Sequence, residues 1–156
     1  MLSQWAEKDA SEKDSLELLV YQSRLIGKET ELVVWGGGNT SLKLIEKDFR
    51  GLDTHVMRIK GSGSDLKSIE ARHFPSIRLE DITPLLLREE MSDEEMVEYL
   101  EMCLMDPHSF RPSIETLLHA FLPHASIIHS HADAIVSITN TTRPIELLRE
   151  VYGDAV

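Results

Sequence analysis

A single cysteine, Cys103, leaves this chain no partner for an intrachain disulfide. That usage fits a reducing compartment, and a cytoplasmic location is the expectation. Cys103 lies among Met102, Leu104 and Met105, the surroundings of a buried thiol. Basic residues are also short: 16 Lys and Arg against 27 Asp and Glu give a formal charge of −11. This balance argues against nucleic acid and against anionic membrane surfaces as partners. It leaves room for a small phosphorylated ligand, because a few backbone N–H groups and one or two cations reverse the sign locally. No apolar run reaches the ~20 residues needed to span a bilayer. Residues 1–14 lack the basic-then-apolar order of a secretory signal. No repeat, low-complexity tract or linker interrupts the chain.

Apolar residues make up 42% and charged residues 28% of 156 positions, ordinary for a globular protein with one core. One domain over 15–156, with a flexible lead-in over 1–14, is the economical reading. Leu16, Leu19, Val20 and Ile26 recur at helical spacing from Ser15, and Gly27 stands where a helix would end. Residues 31–35 read as a short buried strand running into Gly36-Gly37-Gly38-Asn39-Thr40-Ser41, and Leu42 to Ile45 as its partner. Val56 to Lys60 reads as the next strand, ending in Gly61-Ser62-Gly63-Ser64-Asp65, where Asp65 is placed to cap a short helix over 66–69. Residues 77–79 read as a further strand. Ser92 and Glu95 form a capping box that opens a helix to about Met105. Arg111-Pro112-Ser113 starts another, with Ile114, Leu117, Leu118 and Phe121 as its apolar stripe and Pro123 as its stop. A strand over 126–131 and helices over 132–139 and 144–152 complete the pattern.

The chemistry-bearing residues cluster late in the chain. Five of the seven histidines (His108, His119, His124, His129, His131) fall between positions 108 and 131. His129 and His131 are two apart in an extended segment, so both rings project to one side. Such a pair is either a structural pair or the grip of a divalent metal, for which neutral imidazole is a good ligand. Glu115, in the first turn of its helix, either complements the helix dipole or serves as a general acid/base. His119, four residues on, shares its face. The two glycine-rich segments are tight turns or ligand cradles. Gly61-Ser62-Gly63, between a strand and a helix, has the layout of an anion cradle, with Lys43 and Lys60 as nearby cation candidates. Neither segment has the spacing of a P-loop or a dinucleotide fingerprint.

Five segments together resemble the class II aldolase/adducin family. They are Gly-Gly-Gly-Asn-Thr-Ser at 36–41, Lys-Gly-Ser-Gly-Ser-Asp-Leu at 60–66, Ser-Asp-Glu-Glu-Met-Val at 92–97, Pro-Ser-Ile-Glu-Thr-Leu-Leu-His-Ala-Phe-Leu-Pro-His at 112–124, and His-Ser-His-Ala-Asp-Ala at 129–134. Within that family the chain is most similar to the N-terminal aldolase-type domains of bifunctional rhamnulose-1-phosphate aldolase/alcohol dehydrogenases. The resemblance implies a three-layer α/β/α sandwich around a mixed, mostly antiparallel sheet, incomplete at its C-terminal end. It implies zinc, or another divalent metal, held by His129 and His131, with Glu115 as catalytic acid/base. Asn39, Ser62, Gly63 and Ser113 fall where the family holds the substrate phosphate or its neighbouring oxygens. The implied reaction is cleavage of a ketose 1-phosphate to dihydroxyacetone phosphate and an aldehyde, in a homo-oligomer, usually a tetramer. An epimerase or dehydratase on the same site, and a non-catalytic adducin-like association domain, are the alternatives. The family's third metal histidine comes from a later segment, and no histidine follows His131 here.

Overall fold

The structure, a computed structural model, describes residues 3–153. Residues 1–2 of the lead-in and 154–156 of the domain lie outside it. In chain order the elements are α1 (Glu7–Ala10), α2 (Ser15–Lys28), β1 (Asn39–Lys47), β2 (Asp53–Ile59), β3 (Ser76–Arg78), α3 (Leu79–Ile82), α4 (Asp93–Met102), α5 (Thr116–Phe121), β4 (Ser126–His129), α6 (Asp133–Thr139) and α7 (Pro144–Tyr152). Among the described residues no helix is long and apolar enough to cross a membrane.

The four strands form one sheet in the order β3-β2-β1-β4. Every pairing among the described residues is antiparallel, in keeping with the mostly antiparallel sheet expected. Strand alternation sorts the apolar residues onto two faces. Met57, Ile59 and Ile77 face one way and pack with Ile82, Leu100, Cys103, Leu104 and Ala120. Leu42 faces the other way, against Leu19, Val33, Leu66, Ile69 and Phe74. Helices therefore cover both faces of the sheet, an α/β/α arrangement. Each fully buried Met57 or Ile77 side chain contributes roughly 1.5–3 kcal/mol through burial alone.

Capping residues fix where the long helices begin. Asp14 and Glu17 form a reciprocal capping box at α2, and Ser92 and Glu95 form one at α4. α4 stops at Met102, three residues earlier than its apolar pattern predicts. The reason is tertiary: the chain leaves the helix to pair with β3, with Arg78 N–H donating to Cys103 O and Met105 N–H donating to Ser76 O. The Arg78 guanidinium then donates to the carbonyls of Leu104 and Met102, each at 2.7 Å, satisfying acceptors that a helix end leaves open. Ahead of α2, the turn α1 buries Ala10, the Ala6 N–H donates to Tyr21 Oη, and the Trp5 ring lies 5.2 Å from that of Tyr21.

Three expectations are corrected. Residues 31–35 form turns rather than a strand: Leu32 and Val33 N–H both donate back to Glu29 O, and both edges of β1 are already taken by β2 and β4. Asp65 precedes the 3-10 turn Leu66–Ser68 without capping it through its side chain. Gly27 lies inside α2, not beyond its end. Its role is close approach: a Cβ there would stand 2.2 Å from Lys67 N and 2.5 Å from Leu66 C. Helix propensity alone favours Gly27→Ala by about 1 kcal/mol. The backbone clash reverses that sign, and overpacking on this scale costs about 3 kcal/mol. Gly27→Ala is expected to lower the Tm by roughly 10 °C in a thermal melt; an unchanged or raised Tm would show that the packing of α2 on residues 66–67 has room to spare.

Candidate metal and acid/base site

The site is built where β1 begins and β4 ends. Asn39 and His129 are opposite one another in the antiparallel pair, so their side chains share a face. Over that face lies Glu115. It sits at the cap position of α5 with non-helical backbone (φ −81, ψ 2), not in the first turn of the helix as the sequence predicts. Ser113 produces this entry, since its carbonyl accepts from the Thr116 N–H and its hydroxyl accepts from the Glu115 N–H at 3.2 Å.

The two oxygens of Glu115 have different partners. Oε2 accepts from the Asn39 amide at 2.8 Å and faces the Ser113 hydroxyl at 3.5 Å. Oε1 lies 3.3 Å from His129 Nδ1 and 3.8 Å from His131 Nε2. The two imidazoles are 5.0 Å apart between centroids. They do converge, but not by strand alternation alone: β4 ends at His129, and His131 lies in the following loop. Backbone hydrogen bonds hold that loop, His131 N–H to Leu32 O and Asp133 N–H to Glu31 O, each at 2.9 Å. Nothing in the side-chain pattern announces these carbonyls as the anchor of His131.

The first glycine segment also touches the histidines through its backbone. A Cβ on Gly37 would come 3.4 Å from His131 Nδ1. Gly38 has φ +68, and a Cβ there would meet His129 O at 3.0 Å and Val33 Cγ1 at 2.5 Å. Both the left-handed backbone and the crowding require glycine at position 38. Lys60 is buried and donates to Gly36 O at 3.2 Å. Burial lowers its pKa, while the charges of Glu115 and Asp65 oppose that shift. Lys43, the other cation candidate, points elsewhere and donates to the carbonyls of Ala120 and Leu122 at the end of α5. The turn carrying Ser62 and Gly63 is joined to the site through the backbone: Gly61 bridges Pro112, and Ser62 N–H donates to Arg111 O at 2.9 Å. That pairing sets the turn beside Ser113, and the space around Gly63 (φ +76) is open.

His119 is fully buried, with Nδ1 2.7 Å from the Ser41 hydroxyl and its ring 6.1 Å from that of His129. Burial pushes its pKa down to about 4, helped by His129 and Lys43 and opposed by Glu115, so the ring is neutral near pH 7. The hydroxyl of Ser41, at the end of the first glycine-rich segment, is thus committed to His119.

A divalent metal fits this donor set. One nitrogen from each of His129 and His131 and one oxygen of Glu115 lie within 4.8 Å of one another. Ligands around tetrahedral zinc, with bonds of 2.0–2.1 Å, stand about 3.3 Å apart, close to the spacings of Oε1 from the two rings. His129 Nδ1 is buried yet misaligned for a hydrogen bond to Glu115, and His119 Nε2 and Asn39 Oδ1 are also buried without partners. An unsatisfied buried polar atom costs about 1–3 kcal/mol. The unpartnered Nδ1 of His129, beside the Glu115 carboxylate, marks a place where a bound group completes the bonding.

Comparison with known proteins agrees with this layout. The family model "Class II Aldolase and Adducin N-terminal domain" matches residues 17–155. The chain is 49% identical over 149 residues to the uncharacterized oxidoreductase YuxG of Bacillus subtilis (strain 168), covering 96% of this chain and 22% of that protein. It thus spans about a fifth of that relative's length. Among solved structures, the N-terminal class II aldolase domain of a conserved protein from Thermoplasma acidophilum superposes with a TM-score of 0.87 at 44% identity, over 97% of this chain and 70% of that one. With its α/β/α fold, its candidate metal triad and matches of this extent, the chain belongs to the class II aldolase/adducin family.

Proposed function

We propose that this domain is a metal-dependent aldolase that cleaves a ketose 1-phosphate to dihydroxyacetone phosphate and an aldehyde. The observation that carries the reading is Glu115 Oε1, set between His129 Nδ1 at 3.3 Å and His131 Nε2 at 3.8 Å. The two imidazoles and the carboxylate would hold the cation, zinc being the best match to two nitrogens and one oxygen. When bound there, a divalent cation supplies Lewis-acid polarisation of the substrate's carbonyl and hydroxyl oxygens. Cleavage removes the proton of the C4 hydroxyl, which becomes the aldehyde carbonyl, and leaves the electron pair of the C3–C4 bond at C3, which takes up a proton; Glu115 would accept the first and deliver the second. Asn39 holds the other carboxylate oxygen and so fixes the direction in which Oε1 points. Ser62, Gly63 and Ser113 offer hydroxyl and backbone N–H groups to the phosphate, with Asn39 at the inner end of that cradle. Anchoring the phosphate there would align the C3–C4 bond with Glu115.

The oxidoreductase name belongs to a relative of which this chain matches 22%. The test is elemental analysis of the purified chain, followed by an aldol-cleavage assay on rhamnulose and fuculose 1-phosphates. Near one divalent metal per chain and release of dihydroxyacetone phosphate are the expected results. An epimerase or dehydratase would return a product with every carbon retained. A well-folded chain that takes up no metal would leave an association domain as the better account.

A further inference from the structure

Alternate residues of β1 reach three successive levels of the segment from Glu115 through α5. The Asn39 amide donates to Glu115, the Ser41 hydroxyl meets His119 Nδ1, and the Lys43 ammonium donates to Ala120 O at 2.9 Å and to Leu122 O. From Asn39 to Ser41 the strand advances about 6.7 Å, and the four residues from Glu115 to His119 rise about 6 Å, so the first two rungs run in step; the third closes the end of α5. Asn39, Ser41 and His119 are all fully buried. The same strand holds the histidines: β1 and β4 are paired from Asn39↔His129 to Leu42↔Ser126. β1 is thus the common reference for both halves of the site, through its backbone for the imidazole side and through its side chains for the carboxylate.

Building on the proposed reading of the site, we infer that Ser41 and His119 are positioning residues, whose hydrogen bond sets the level of α5 along β1 and so holds Glu115 Oε1 at metal-binding distance from His129 and His131. The rung touches neither the metal nor the substrate. It matters because metal–ligand distances tolerate only about 0.2 Å, and a helix without a short, buried bond to the strand has no such fixed level. The rungs above and below do not replace it: Asn39 grips a side chain with its own torsional freedom, and Lys43 is itself a long, flexible side chain.

The test compares the wild-type chain with Ser41→Ala, which deletes one hydroxyl, and His119→Asn, whose amide keeps a polar atom near the place of Nδ1. Three quantities are measured: the NMR resonances of the Glu115 carboxyl and the His129 and His131 imidazoles in metal-free protein, the affinity and visible absorption of Co2+ as the sole probe, and the Tm. Ser41→Ala is expected to shift those resonances, to alter the Co2+ spectrum and to weaken Co2+ binding at least ~10-fold, as loss of a group supporting a metal ligand does. His119→Asn is expected to stay within about threefold of wild type, on the same scale. A Ser41→Ala chain that loses Tm but keeps wild-type resonances and Co2+ affinity would overturn the inference and leave the rung a packing bond. A wild-type chain that takes up no Co2+ would instead sink the metal reading. The metal-free resonances then decide the positioning role alone: shifted, it stands; unmoved, it falls.

Discussion

Glu115→Gln is expected to remove at least two to four orders of magnitude of aldol cleavage, the usual contribution of a positioned general acid/base, while the metal stays bound. The substitution keeps size and shape, so the Asn39 amide still has an oxygen to meet at the position of Oε2. What it removes is the ability to carry a proton. Both imidazoles remain, and at saturating zinc they are expected to keep the metal content near that of wild type. Turnover and elemental analysis of one preparation separate the two uses of this carboxylate. Loss of turnover with retained metal assigns the proton transfer to Glu115. Loss of both would make it chiefly a ligand, and surviving turnover would remove it from the mechanism.

His129→Ala is expected to have the largest effect on metal. Groups that only support a ligand typically account for ten- to hundredfold in affinity, so deleting a ligand itself should exceed about a hundredfold. His131→Ala should be the milder of the pair. The side chain of His129 is 27% exposed and fixed by β4, whereas that of His131 is 45% exposed and held by a loop. Competition against a chromophoric chelator measures both variants directly. Stoichiometric, tightly held zinc in His129→Ala would place the metal elsewhere in the chain.

Much of this architecture is legible because local signals and tertiary structure agree. The capping box at Ser92, the apolar period after Ser15 and the alternation through β1 and β2 each have a physical cause within a few residues. The members of the triad are legible for a different reason: spacing leaves each open to a structural role, and the resemblance of five segments to one family singles out His129, His131 and Glu115 together. What escaped the sequence depends on partners distant along the chain. Residues 31–35 carry a strand-like apolar run, yet their carbonyls serve the loop of His131. Gly27 has the look of a helix stop, but its missing side chain matters to the backbone at 66–67. Lys43 was grouped with the anion cradle by proximity in sequence, although its side chain crosses to the end of α5. The bond between Ser41 and His119 is equally hidden, because the register of β1 against α5 is not written in either segment alone.

The pairing of β1 with β4 also bears on the order in which this molecule matures. Contacts that join distant parts of a chain carry a large loop-closure cost and tend to form slowly. The early half of the chain, with α2, β1 and β2, can associate through short connections, whereas pairing Asn39 with His129 closes the whole loop between those two positions. A nascent or partly melted chain therefore has no coordination sphere to offer. On the proposed reading of the site, metal capture would be a late checkpoint, and uptake of a divalent cation over time would record how many molecules have finished folding.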